Sequence, residues 1–352
     1  MTAAADRAKR GFASDNAATV HPEVMAAIAE ANVGHTYGYG HDRLTEALAE
    51  RFREHFGEAT RAYPVWGGTA ANVLCLRATC RPWEGVICTD TAHLNVDECG
   101  APEAIAGVKL LAVEAEEGKL APAAAERMIS RVGDEHAVQA RVVTISQATE
   151  LGTVYGIEEV RALAELAHGH GLLLHVDGAR LANAAAALGT KLREVTTAVG
   201  VDMLSFGGTK NGLLGAEAVV FLTPGLGEGF EYLRKQSLQL ASKMRFLSAQ
   251  LDALLTDDLW LRSAAQANAM AARLAERVGS LPEVTIARPV QANAVFARLP
   301  RQTITELQQQ YDFHVWDEAT DEVRWMCAWD TTEKDVDEFA NALERALADS
   351  AA

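Results

Sequence analysis

Several features that mark whole classes of protein are missing from this sequence. Its five cysteines, Cys75, Cys80, Cys88, Cys99 and Cys327, are odd in number and nowhere spaced as CxxC. They point to neither a disulfide framework nor a zinc site and read as reduced thiols. No stretch approaches the roughly 18 consecutive apolar residues of a membrane span. Met1 to Gly11 alternates Ala with Asp, Arg and Lys and lacks the apolar centre of a secretory leader. Positive charge is also scarce: 32 Lys and Arg against 48 Asp and Glu leave a formal net charge of −16. That argues against nucleic acid or an anionic membrane as partner, because both are drawn by clustered Lys and Arg. Tandem repeats and low-complexity linkers are absent. What is present is a chain of 352 residues, 49% apolar and 23% charged, with enough apolar residues for two domains with a large core. A small-molecule ligand and, by default, a cytoplasmic location are expected.

From Val86 to Leu222 short β-rich runs alternate with helical ones, the pattern of a largely parallel sheet covered by helices on both faces. Strands are expected at Val86 to Thr89, Lys109 to Val113, Arg141 to Ser146, Leu172 to Val176, Asp202 to Phe206 and Ala218 to Leu222. Helices at His21 to Asn32 and Arg43 to Phe56 precede this core, separated by a Gly- and Tyr-rich turn at Gly34 to Asp42. After it, Leu226 to Leu255 reads as one long amphipathic stretch bridging two domains, and Ser263 to Val278 as a further helix. The remainder reads as α+β, with strands at Val284 to Ala287, Ala294 to Arg298 and Glu322 to Cys327. The expected division is an N-terminal arm and helix over 1–45, a large cofactor-binding domain over 46–250 and a small domain over 251–352.

Active sites of such sheets lie at the carboxyl ends of the strands, and there the sequence places LLLHVDGAR, an apolar strand ending at Asp177. Alone, an Asp in that position caps a helix or makes a turn. The next strand runs into GGTKNG, with Lys210 among Gly207, Gly208 and Gly212. A lysine that forms a Schiff base and an Asp that keeps a pyridine nitrogen protonated are together what pyridoxal 5′-phosphate requires as an electron sink. In VWGGTAANVLCL, Gly67, Gly68 and Thr69 open a helix whose free amides suit a phosphate. This segment is neither a P-loop nor GxGxxG, which disfavours a nucleotide-binding dehydrogenase. His93, just past a strand, is suited to stacking on the pyridine ring and to acid–base work.

The order of these motifs resembles the low-specificity L-threonine aldolase branch of the fold-type I pyridoxal-phosphate enzymes, related to the β-eliminating lyases. The likeness spans FASDNA at Phe12 to Ala17, YGYGHD at Tyr37 to Asp42, GGTAAN at Gly67 to Asn72, the His93 segment, HVDGARLANA at His175 to Ala184 and SFGGTKNG at Ser205 to Gly212. It implies an α/β fold, with a mostly parallel seven-stranded sheet between helices and a small C-terminal α+β domain. It implies that Lys210 carries the cofactor, Asp177 meets the pyridine nitrogen, His93 stacks on the ring, and Gly68 and Thr69 cup the phosphate. Ser14, Arg180 and Arg324 match groups that hold the substrate carboxylate, a task suited to the planar fork of arginine. The family is oligomeric with shared sites, which implies a homodimer or homotetramer here. Arg245, in LASKMRFLSA, is the match for a basic group lent to the neighbour's phosphate. The implied reaction is retro-aldol cleavage of an L-β-hydroxy-α-amino acid such as threonine, allo-threonine or phenylserine, giving glycine and an aldehyde. Many family members carry a second histidine after the strand ending near Ser146, where this chain reads QATELGT. His35, His41 or a water is then left to take the β-hydroxyl proton. An aminotransferase, racemase or β-eliminating lyase of the same fold would share Asp177 and Lys210. A non-enzymatic cofactor sensor would require the basic DNA-binding segment this chain lacks.

Overall fold

Runs of Val, Ile and Leu become central strands where helices cover both of their faces, and this chain builds its sheet from such runs. The computed structural model describes residues 10–350. Residues 1–9 of the expected arm, and 351–352 of the expected small domain, lie outside the described residues. The large sheet comprises β1 (Arg61–Val65), β2 (Glu84–Thr89), β3 (Lys109–Val113), β4 (Gln139–Ser146), β5 (Leu173–Gly178), β6 (Met203–Phe206) and β7 (Glu217–Phe221). Their spatial order is β1-β7-β6-β5-β4-β2-β3. The run from β6 to β3 is parallel, and β7 is antiparallel to both of its neighbours. One face packs Val143, Val176, Leu204 and Val220 under the helices Arg43–Phe56, Ile157–Gly169 and Arg245–Leu255. The other packs Val86, Val142, Met203 and Val219 under the helix Gly68–Thr79.

A second sheet joins β8 (Thr285–Ile286), β9 (Ala294–Arg298), β10 (His314–Asp317) and β11 (Glu322–Met326) in the antiparallel order β10-β11-β9-β8. Its apolar face closes on the helices Arg301–Gln308 and Glu333–Ser350 and on the second half of the helix Leu259–Gly279. Phe12, from the N-terminal arm, is fully buried in this second core, its ring 4.5 Å from Phe339. The α/β architecture expected from the sequence is therefore present.

Three elements differ from expectation. β1 was unforeseen because it is a five-residue edge strand containing Pro64, whose missing N–H an edge tolerates. β10 pairs only through the neighbouring β11 and has no apolar alternation of its own. The single amphipathic stretch Leu226 to Leu255 is divided into helices Phe230–Gln236 and Arg245–Leu255. Between them Leu238 takes a left-handed φ of 65°. The Ser242 carbonyl accepts the Tyr39 N–H at 3.0 Å, and the Gln239 side chain accepts the Trp66 N–H at 3.0 Å. These tertiary hydrogen bonds stand where a continuous helix would make its own.

Candidate active site

Parallel register sets Ser146, Asp177 and Ser205 side by side at the carboxyl ends of β4, β5 and β6. Asp177 is buried and fully engaged: Oδ1 accepts the Ala179 N–H at 2.9 Å and Oδ2 accepts Asn72 Nδ2 at 2.7 Å. Asn72 also donates to Glu98 Oε1 at 2.8 Å, and that oxygen lies 2.9 Å from His93 Nδ1. A continuous relay thus runs from Asp177 through Asn72 and Glu98 to His93. The hydrogen bond to Glu98 raises the His93 pKa, outweighing partial burial. Beneath Asp177, His175 sits between the hydroxyls of Thr144 (2.8 Å) and Ser205 (3.0 Å). Burial lowers its pKa to about 4, so it stays neutral and acts as a spacer under the carboxylate.

Lys210 lies in a single 3-10 turn, Thr209–Asn211, directly after β6. A close approach makes glycine necessary just before it: a Cβ on Gly207 would sit 2.5 Å from the Ala179 carbonyl oxygen. The turn is braced by Glu217 of β7, which accepts the Gly208 N–H at 2.6 Å and whose pKa burial raises to about 7. The positive charge of Arg180 and then burial lower the Lys210 pKa, making its amine more readily nucleophilic.

Arg180 is clamped by Asp15, Nε to Oδ2 at 2.7 Å and Nη2 to Oδ1 at 3.0 Å, and Asn293 Nδ2 donates to Asp15 Oδ2 at 3.0 Å. Burial opposes ionisation of Asp15, but the Arg180 charge and hydrogen bonds win and hold its pKa below the usual value. Arg324 reaches in from β11, donates to the Ala13 carbonyl at 3.2 Å and lies 4.9 Å over the Trp316 ring. Its Nε is buried without a partner among the described residues. Burial, followed by repulsion from Arg180, lowers its pKa to about 10. Arg180, Arg324 and Lys210 thus all interact with the charge of Asp15, three cations sharing one buried carboxylate, an arrangement suited to an incoming carboxylate.

Gly68, Thr69, His93, Asp177 and Lys210 line a cleft of about 420 Å³, and Arg180 lines a smaller pocket of about 50 Å³ that shares His93, Asp177 and Lys210 with it. That size suits a small organic ligand. The helix Gly68–Thr79 opens on the cleft with Gly67 as its N-cap and no side chain capping it, so its first amides are free for a phosphate. A pyridoxal phosphate fits this donor set. Lys210 could hold its aldehyde carbon, the relay-held Asp177 its pyridine nitrogen and the helix opening its phosphate.

The structure brings Lys210, Asp177, His93, Gly68, Thr69 and Arg180 to the cleft, with Arg324 close to Arg180. Ser14 instead accepts the Asn16 N–H at 3.1 Å and caps the short turn that presents Asp15. His41 and His35 are exposed and do not line the cleft. Arg245 lies in a separate depression with Gly34 to Gly38, donating to the Gly34 carbonyl at 3.3 Å. Sequence reasoning missed Asn72, Glu98, Asp15 and Glu217. Asn72 stands one helical turn after Thr69, which was the available signal; Asp15 meets Arg180 across 165 residues, and Glu98 and Glu217 bind partners 5 and 9 residues away without any periodic pattern to mark them.

The chain matches the model of the beta-eliminating lyase family over residues 11–301. It belongs to the beta-eliminating lyase family. It is 45% identical to the low-specificity L-threonine aldolase of Pseudomonas aeruginosa over 94% of this chain and 95% of that protein. It is 44% identical to the low-specificity L-threonine aldolase of a Pseudomonas species, with the same shares covered. A threonine aldolase structure from Leishmania major superposes with a TM-score of 0.88 at 30% identity, over 95% of this chain and 98% of that one. The resemblance drawn from the motifs is borne out. The family is pyridoxal-phosphate-dependent, and that cofactor, expected from Asp177 and Lys210, belongs to this enzyme. No described helix is long and apolar enough to cross a membrane.

Proposed function

We propose that this chain catalyses retro-aldol cleavage of L-threonine, L-allo-threonine or related L-β-hydroxy-α-amino acids such as phenylserine to glycine and an aldehyde. The observation that carries this reading is the cationic trio of Arg180, Arg324 and Lys210 beside the relay-held Asp177. The near full-length likeness to two L-threonine aldolases supports it. Pyridoxal phosphate supplies an electron sink for the pair released when a bond to Cα breaks. Lys210 would carry it, Asp177 would keep its ring nitrogen protonated, His93 would cover its ring, and Gly68, Thr69 and the helix amides would hold its phosphate. Arg180 and Arg324, with Ser14 close by, bind the substrate carboxylate. A clamped carboxylate limits how the substrate can turn and so selects which bond at Cα breaks.

Residues 46–250 act in this reading as the cofactor-binding domain, 251–352 as the small domain that contributes Arg324, and 1–45 as an arm tied to both. The enzyme works as a homodimer or homotetramer in the cytoplasm, in keeping with its unpaired cysteines. Supporting that assembly, exposed Val33, Tyr37, Tyr39, Trp66, Tyr232 and Leu238 gather where the tyrosine-rich turn packs on the segment before Arg245. Arg245 and His41 lie in or beside this region and would serve the neighbour's site. Incubating the holoenzyme with L-threonine, L-allo-threonine and L-phenylserine, and measuring glycine and aldehyde from each, tests the reading. Equal release of both products, lost in Lys210→Ala, is expected. Turnover that requires an amino acceptor, or a Lys210→Ala variant as active as the wild type, would overturn it.

A further inference from the structure

Cleavage of a β-hydroxy amino acid needs a base for the hydroxyl proton. The exposed histidines of the tyrosine-rich turn do not line the cleft. His93 is tied through Nδ1 to Glu98, a hydrogen bond that raises its pKa, and in the reading above its ring is given to covering the cofactor. Glu98 binds Asn72 and His93 through Oε1 and so holds the relay between Asp177 and His93, although its Oε2 is also buried without a partner among the described residues. Glu217 lines the cleft on the Lys210 side, where it braces the Lys210 turn through the Gly208 N–H, and does not line the pocket that contains Arg180.

The loop after β4 supplies one more carboxylate. Glu150 lines a smaller pocket of about 50 Å³ that shares Gly68, His93, Asp177 and Lys210 with the cleft and adds Arg180. One oxygen is fully used: Oε1 accepts the Ser146 hydroxyl at 2.5 Å and the His93 backbone N–H at 2.8 Å. The other, Oε2, is buried and has no hydrogen-bond partner among the described residues. A side chain held by one oxygen, with the second unpartnered in a pocket shared with Arg180 and Lys210, is poised to accept a proton from a group near Cβ.

We propose that Glu150 is the catalytic base that takes the substrate's β-hydroxyl proton, an assignment that rests on the retro-aldol reading of this cleft. The O–H bond breaks and its proton passes to Oε2. The pair left on oxygen forms the aldehyde C=O as the Cα–Cβ bond breaks. The pair of that bond goes with Cα, which is then protonated to give glycine. Burial, and then repulsion from Asp177, raise the Glu150 pKa above the ordinary range, making it a stronger base than a solvated carboxylate. The charged groups that face it are Asp177, Arg180, Lys210, His93 and Glu98.

Glu150→Gln is the deciding variant, because an amide oxygen still accepts from Ser146 and His93 but cannot take the proton. With L-threonine the holoenzyme variant is expected to release aldehyde about a hundredfold to ten-thousandfold more slowly. Exchange of the glycine Cα proton in D₂O, which needs the cofactor and carboxylate clamp but no hydroxyl base, is expected to change less than threefold. In the cofactor-free proteins, infrared titration is expected to show a buried carboxyl band in the wild type that protonates above the ordinary glutamate range and is missing from the variant. Aldehyde release within threefold of wild type, an equal loss of both reactions, or a difference band that titrates as a solvated carboxylate would each overturn Glu150 as the base while leaving the aldolase reading intact. A wild type that exchanges glycine but releases no aldehyde overturns the aldolase reading itself, and Glu150's role with it.

Discussion

Asp15 and Arg180 come from segments 165 residues apart and meet as a two-point ion pair of which only Arg180 retains slight exposure. Removing one partner of a buried pair leaves the other desolvated and unpaired, which costs more than the pair contributes. Asp15→Asn is therefore expected to lower unfolding stability by about 3 kcal/mol in urea titrations at pH 7. Because the folded-state pKa of Asp15 is depressed, its contribution is present above the ordinary carboxylate range and is lost as pH falls through the depressed value. The gap between wild type and Asp15→Asn should accordingly narrow in acid. Glu217 works in the opposite direction. Its folded pKa of about 7 exceeds the ordinary 4.5. The folded state thus holds a proton the unfolded chain releases, and stability falls as pH rises from 4.5 to 7. Glu217→Gln, which keeps an acceptor for Gly208, should stabilise the cofactor-free protein at pH 8 by on the order of 2 kcal/mol and have little effect near pH 4.5. Thermal unfolding at the two pH values reads this directly.

At the scale of elements, the site depends on where strands stop and how closely the following turns approach one another. The turn after β6 runs against that after β5 with no room for a methyl group at Gly207. Because the obstructing atom is a backbone carbonyl, a side chain cannot yield and the turn itself must shift. Gly207→Ala is expected to leave the overall fold intact by far-ultraviolet circular dichroism while weakening cofactor binding at least tenfold in absorbance titrations, because Lys210 moves with the turn. The central strands were readable because both faces are apolar, and β3 and β9 begin and end where their residue patterns predict. β1 and the break at Leu238 were not readable, since each exists only through a partner distant in the chain.

For the whole molecule, the N-terminal arm ties the two cores together. Phe12 is fully buried against Phe339, and its carbonyl accepts the Met326 N–H at 2.8 Å. Phe12→Ala is expected to cost about 3–4 kcal/mol through the cavity it leaves, measured by denaturant unfolding. On the outside, Leu238 is 87% exposed within the apolar region proposed as the subunit contact. Leu238→Asp should shift the protein toward monomer in sedimentation velocity and lower aldehyde release in parallel, since Arg245 would then serve no neighbouring site.

The sequence by itself determined the alternating α/β layers, the placement of Asp177 and Lys210 at adjacent strand ends and the need for pyridoxal phosphate. Each of these rests on local pattern: apolar runs, glycine-rich turns and paired residue types. Only the tertiary structure decided which polar groups hold those residues. Asn72 and Glu98 join Asp177 to His93, Asp15 pins Arg180, and Glu150 keeps one buried oxygen unpartnered, among the described residues, in the pocket shared with Arg180 and Lys210. Their roles depend on which atoms become buried together and which hydrogen bonds remain unmade, and long-range packing alone settles both.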